Sequence, residues 1–364
     1  MKSLSAIILT LLFVSISSIP LFAQGGATVL FLMINPGARE GGMGEAGVAL
    51  ADDGNAIYWN PAGLAFQHEG KDARKGEATL MHVQWLPQFN LNDMFFDYAA
   101  VNRKIKDVGT VGLALQYINY GKNIQTDTQG NELGNFNSNE FAITGSYALK
   151  LKKNLGFGVN IKYIYSNLSP GIFVDQERRE GRGSTFAVDV ATLWHPGFSK
   201  KLSLGMNISN IGPKMTFVDR EQADPLPTNL RVGFAYDLVR SEYNRLTLVY
   251  DANRLLIRRR LTSDSVSVAD NVFKAMLSTW SDGSFSDQLK KFTHSVGMEY
   301  WYTDLIALRA GYFYENKAIG GRQFWTFGGG LRVSVLQVDF SYIYATIDDH
   351  PLADTIRFSL STLF

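Results

Sequence analysis

Residues 31–66 read FLMINPGAREGGMGEAGVALADDGNAIYWNPAGLAF, and the fold turns on how that stretch is understood. It is rich in Gly and Ala, yet it carries larger or charged side chains at Arg39, Asp52, Asp53, Trp59, Asn60 and Pro61. Glycine tolerates positive φ and close backbone approach, so such a run packs as a compact coil more readily than as a long helix. The rest of the chain is a long series of alternating segments with no second domain. The stretch is therefore expected to lie in a plug, residues 24–70, folded inside a barrel built by residues 71–364.

Two motifs inside it point elsewhere and fail on context. Gly42-Met43-Gly44-Glu45-Ala46-Gly47 spells GxGxxG after the apolar run Val29 to Ile34. A dinucleotide site needs a helix opening on those glycines and a parallel strand beyond it. Asp52-Asp53-Gly54-Asn55 and Asn60-Pro61 instead break the chain within one or two turns. Asp52-Asp53-Gly54-Asn55 also lacks the later ligands and closing Glu of a calcium loop, and reads as an Asp/Gly turn. Asn60-Pro61 is expected to fix a turn where the plug ends, with Trp59 at a packed or interfacial position.

Working outward, residues 1–23 have the form of an export leader: Lys2, an apolar core from Ala6 to Val14, and Leu21-Phe22-Ala23 as a cleavage site. Without any cysteine the chain can form neither disulfides nor a thiolate metal site, and a net charge of +1 argues against a nucleic-acid partner. Aromatic content of 13% with a mean hydropathy near zero suits strands that are apolar on one face only.

That alternation is visible. Leu155, Phe157, Val159, Ile161, Tyr163 and Tyr165 interleave with Gly156, Gly158, Asn160 and Lys162, and Ile356, Phe358 and Leu360 interleave with Arg357, Ser359 and Ser361. Fourteen such segments are expected: 77–86, 94–103, 109–120, 140–150, 154–167, 183–195, 201–211, 228–238, 244–253, 292–302, 305–314, 324–333, 335–345 and 355–364. Many run to about ten residues or more, the length a tilted strand needs to cross a bilayer. Links after even-numbered segments are short and most after odd-numbered ones are long, the asymmetry of a single-chain outer-membrane barrel. The expected fold is all-β: an antiparallel transmembrane barrel of about 14 strands with an N-terminal plug in its lumen.

With those residues in view, the block from Phe31-Leu32-Met33-Ile34-Asn35-Pro36 through Arg39, Gly41-Gly42-Met43-Gly44, Ala51-Asp52-Asp53-Gly54 and Trp59-Asn60-Pro61 resembles the PorV/PorQ family of the type IX secretion system, within the wider FadL-like group of barrels. The specific similarity spans about these 36 residues. The ending Asn60-Pro61-Ala62-Gly63-Leu64 is the more generic form shared across the FadL-like group. The resemblance implies an outer-membrane accessory or shuttle protein that binds the translocon, the attachment complex and the C-terminal signal domains of secreted cargo. FadL-like relatives would imply passage of a hydrophobic small molecule, and some PorV-like proteins a lipid deacylase.

Arg39, Asp52 and Asp53 are expected to form a charged latch between plug and lumen, because an unpaired buried charge is costly. In loop 254–291, Arg254, Arg258, Arg259 and Arg260 make a basic cluster, followed by Val268, Val272, Phe273, Met276, Leu277 and Trp280 at helical spacing. Phe273, Met276, Leu277 and Trp280 would offer a partner contact. Alternatively their face would close over the barrel mouth while the arginines meet lipopolysaccharide phosphates. Loop 168–182 reads as a solvated charged hairpin. The histidines His68, His82, His195, His294 and His350 show no metal spacing, there is no GxSxG elbow, and no cofactor is expected; a Ser/His pair across strands would have to involve residues such as His195 or His294.

Overall fold

The computed structural model describes residues 26–69, 75–89, 91, 93–127, 129–174, 177–217, 223–261, 267–345 and 350–364, without the side chains of 170–180, 261 and 267. The leader expected over 1–23 lies outside the described residues.

Fourteen antiparallel strands close into a barrel: β1 (Gly76–Gln84), β2 (Met94–Ile105), β3 (Gly109–Thr126), β4 (Glu132–Lys152), β5 (Leu155–Val174), β6 (Glu177–Trp194), β7 (Leu202–Ile211), β8 (Asn229–Arg240), β9 (Asn244–Leu255), β12 (Thr293–Tyr302), β13 (Ile306–Tyr314), β14 (Gln323–Val333), β15 (Leu336–Ala345) and β16 (Ile356–Leu363). Two further strands, β10 (Arg259–Leu261) and β11 (Ser267–Ala269), form a separate small hairpin in the loop between β9 and β12. Closure comes from β1 pairing with β16, where Glu77 faces Leu363 and His82 faces Phe358. No edge strand is left in the barrel, so the backbone groups facing lipid are paired within the wall.

The faces are inverted relative to a water-soluble β-protein. On β16, Arg357, Ser359 and Ser361 are buried while Ile356, Phe358 and Leu360 are exposed. On β12, Ser295 and Glu299 are buried while Val296 and Met298 are exposed. Polar side chains point to a filled lumen and apolar ones to hydrocarbon. This period-two pattern was readable because each wall position meets one medium or the other.

The four strands β3 to β6 differ from expectation above the membrane. They are 18, 21, 20 and 18 residues long, against 8 to 12 for the other ten barrel strands. Much of the loop expected at 121–139 is therefore strand, and the hairpin expected at 168–182 is the tip of β5 and β6. About ten residues suffice to span the bilayer, so these hairpins rise roughly 25 Å beyond it. On β4 the successive residues Glu132 to Asn135 are all exposed, which removes the alternation that betrays a strand.

Residues 26–69 fill the lumen as short helical turns, Leu30–Met33, Ala38–Gly41, Ala56–Trp59 and Pro61–Phe66, joined by coil. Phe31, Leu32, Ile57, Trp59 and Leu64 form a core with wall residues Met81, Val83, Phe96 and Tyr98. Each such side chain contributes about 1.5–3 kcal/mol by leaving water.

Candidate functional site

The plug is tied to the wall by polar contacts that start at the predicted residues. Arg39, buried on Ala38–Gly41, donates from Nη1 to Asp52 Oδ1 at 2.5 Å and to Asp53 Oδ2 at 3.0 Å. Its other bonds go to Glu299 on β12, from Nε to Oε2 and from Nη2 to Oε1, both 2.8 Å. Glu299 also accepts from Arg309 Nε at 2.8 Å, and Arg309 reaches Asp339 at 2.7 Å. The predicted residues thus meet one another, and Glu299, Arg309 and Asp339 extend the network through three strands of the wall. Sequence reasoning missed those three, because an inward carboxylate on a strand looks like any polar residue of the alternation.

Asp53 Oδ1 also accepts from Asn55 N at 2.9 Å, an Asx turn, in place of any calcium loop. Trp59 is fully buried, donates from Nε1 to Pro36 O at 3.0 Å, and lies under the Arg231 guanidinium at 4.3 Å. The Asn60 amide donates to Val48 O and, across to β6, Thr192 O, while its Oδ1 accepts from Ala62 N and caps the turn that Pro61 opens. The GxGxxG run follows a helical turn and does not open one. Gly44, at φ 68°, lies so close to the backbones of Val296 and Tyr312 that a Cβ there would collide with both.

The wall answers with its own glycines. A Cβ built at Gly158 would overlap the backbone of Pro61 and Ala62, one at Gly205 that of Val48, and one at Gly311 that of Met43 and Gly44. These inward glycines let coil lie against strand, a role that alternation alone does not signal.

At the long-loop end, Val272–Ser278 and Phe285–Lys290 are short helices. Helical spacing located the first of them, with two residues outside it: Val268 sits on β11 and Trp280 on the turn Thr279–Ser281 that follows. The orientation corrects a second expectation. The buried face carries Ala275 and Thr279, whereas Phe273 and Leu277 are 70% and 80% exposed, and Phe285 is 78% exposed. The large side chains point outward and do not close over the mouth; Met276 is half-buried, and Trp280 rests over the Arg254 guanidinium at 4.0 Å. The arginines are engaged within the chain: Arg254 with Thr279 O and Gln288, Arg258 with Ser278 O, Arg259 with Asp224, and Arg260 with Asp270 at 2.6 Å. That leaves little of the cluster for lipid phosphates. A cavity of about 410 Å³ lies at the long-loop end against the plug, lined by apolar Leu30, Met33, Ile34, Trp85 and Leu352 and by charged Glu45, Arg254, Glu315 and Arg322.

His195 Nδ1 lies 2.9 Å from Ser203 Oγ at the short-turn end, and His294 Nδ1 lies 2.7 Å from the Tyr250 hydroxyl. Among the described residues no carboxylate is hydrogen-bonded to either ring, and no group of three or more His, Asp or Glu forms a metal cluster.

The model of the type IX secretion system protein PorV matches residues 24–261. The chain belongs to the PorV family. That match runs well beyond the 36-residue block that first suggested it. No curated protein matches the sequence significantly. Among solved structures, the Ralstonia pickettii toluene transporter TbuX is similar with a TM-score of 0.54 at 13% identity, over 91% of this chain and 98% of that one. The Pseudomonas putida toluene transporter TodX is similar with a TM-score of 0.54 at 14% identity, over 90% and 96%. At such identities the likeness shows a shared FadL-like barrel fold. This PorV family member is accordingly an outer-membrane protein, and its short turns face the periplasm.

Proposed function

We infer that this PorV family member serves type IX secretion as a binding and shuttle protein. In this reading it contacts the translocon and the attachment complex, and it receives the C-terminal signal domains of cargo at its long-loop end. The observation that carries it is the outward set of Phe273, Leu277 and Phe285 on two short helices above a plugged barrel. Large apolar side chains held out by a rigid scaffold suit a protein partner. No catalytic role is assigned to the chain in this reading. The test is purification of the tagged protein from its own outer membrane in mild detergent, with mass spectrometry of what accompanies it. Recovery of a large translocon barrel, or of proteins sharing a C-terminal domain, is the expected outcome.

A second reading has its own observation, the mostly apolar cavity of about 410 Å³ at the mouth. It would suit a hydrophobic small molecule, as the toluene transporters' names indicate for those proteins. Recovery of a lone barrel with a bound apolar compound would favour it over secretion.

A further inference from the structure

At the short-turn end, under the plug, three strands place an arginine, a second arginine and a tryptophan in one row. Arg240 on β8 is the register partner of Arg245 on β9, and Arg245 is the register partner of Trp301 on β12. Like charges at directly paired positions of an antiparallel pair disfavour the pairing, and a wall has little structural use for them. Their acidic neighbours relieve little of it. Arg240 reaches Asp237 at 3.2 Å, while Asp304 stands 3.8 Å from Arg245 and is 69% exposed.

Trp301 supplies the second observation. It is 1% exposed, with the Arg332 guanidinium 4.5 Å from its ring, yet its indole Nε1–H has no hydrogen-bond partner among the described residues. The same is true of the buried Nε–H of Arg245. A buried donor without an acceptor is costly, because it has lost its water and gained nothing in exchange. Both residues line a partly open cavity of about 120 Å³ together with Arg240, the β8–β9 turn residues Ser241 to Asn244, among them Glu242, and Asp304. Two arginines share this small cavity with the carboxylates of Glu242 and Asp304, and the two donors left without acceptors are what point to an oxyanion.

We propose that this pocket binds a carboxylate presented from the periplasm by a polypeptide, as an acidic side chain or a chain terminus. One oxygen accepts from the Trp301 indole and the other from Arg245, while Arg240 adds charge at the rim. The planar two-oxygen group suits one neutral and one cationic donor side by side. This site is separate from the long-loop face, at the opposite end of the barrel.

The test uses the full barrel in detergent micelles with ¹⁵N-labelled tryptophan, the Trp301 indole signal being assigned through Trp301→Phe. N-acetylglutamate is the probe and N-acetylglutamine the neutral control. The expected result is a saturable shift of the Trp301 indole signal with N-acetylglutamate alone, lost in Arg245→Gln, whose heat-dependent gel mobility must match the wild type. No shift, or an equal shift with sodium chloride, overturns the site. A photo-crosslinker at Glu242 in cells then addresses the source. An Arg245-dependent adduct whose mapped peptide carries an acidic residue or a chain terminus at the contact supports a polypeptide. Probe binding without such an adduct overturns the polypeptide and leaves a free small carboxylate as ligand.

Discussion

Arg39 of the plug and Glu299 of the wall form a two-pronged ion pair, with both nitrogen–oxygen distances at 2.8 Å and both side chains buried. Removing one partner of a buried pair leaves the other as an uncompensated charge, which costs about 3–5 kcal/mol. Glu299→Ala leaves Arg39 with Asp52 and Asp53 and Arg309 with Asp339, so it is expected at or below the lower end of that range, about 3 kcal/mol. Arg39→Lys keeps a charge and loses the fork, and is expected to lose less. Unfolding of the detergent-solubilised barrel, followed by its heat-dependent gel mobility, ranks the variants. Equal stability of Glu299→Ala and wild type would mean the plug is held by other contacts.

The inward glycines make a sharper claim about seating. Gly311→Val would push side-chain atoms into the backbone of Met43 and Gly44, and Gly158→Val into that of Pro61 and Ala62. Neither backbone can retreat without unseating the plug. Both variants are expected to open an ion-conducting path in planar bilayers that the wild type lacks. Gly145→Ala is the control, since only Ile161 O lies within 4.0 Å of the added carbon. A wild-type-like closed state in both valine variants would show that the coil tolerates displacement.

The wall was legible because hydrocarbon outside and mostly polar packing inside impose a period of two on most spanning strands, β1 with its inward Met81 and Val83 being an exception. Val296 and Met298 against Ser295 and Glu299 on β12 illustrate it. The two-residue turn at Thr303 and Asp304, both at positive φ, was equally plain as a short break between alternating runs. The predicted plug cluster of Arg39, Asp52 and Asp53 was found through charge in an apolar run. Its wall partner Glu299 was not, since pairing across 260 residues leaves no local trace. The upper part of β4 was hidden because consecutive exposed residues, Glu132 to Asn135, carry no alternation. For the helix at 272–278, spacing revealed an apolar stripe but not which face packs. Ala275 and Thr279 do, because small residues let the helix sit close.

Glu40 gives the plug a pH dependence. Its side chain is buried and meets Asn55 Nδ2 at 3.2 Å, with no ion pair among the described residues. Burial, and then the neighbouring Asp53 carboxylate, push its carboxyl well above the usual range against the pull of Arg39. An unfolded glutamate titrates near about 4.3. A group raised on folding contributes stability fully present below that value and lost as pH rises through the folded value. Glu40→Gln keeps the neutral shape, so its stability relative to wild type is expected to increase from about pH 5 to about pH 8. Parallel unfolding curves at the two pH values would mean that Glu40 is charged in the fold.

The outward helices test the secretion reading without touching the barrel. Phe273 and Leu277 are among the most exposed large apolar side chains of the described residues, and the helix is anchored by Ala275, Thr279 and the Asn271 cap, which accepts from Lys274 N at 3.0 Å. Replacing both with Asp leaves those anchors in place, and surface changes of this kind usually shift stability by under about 0.5 kcal/mol. Truncating or charging an apolar anchor at an interface typically costs about 2 kcal/mol or more, near a thirtyfold loss of affinity. The double variant is therefore expected to unfold like wild type yet to lose its companions in the detergent purification. Full retention of those companions would move the contact to another loop, with the tall β3–β4 and β5–β6 hairpins next in line.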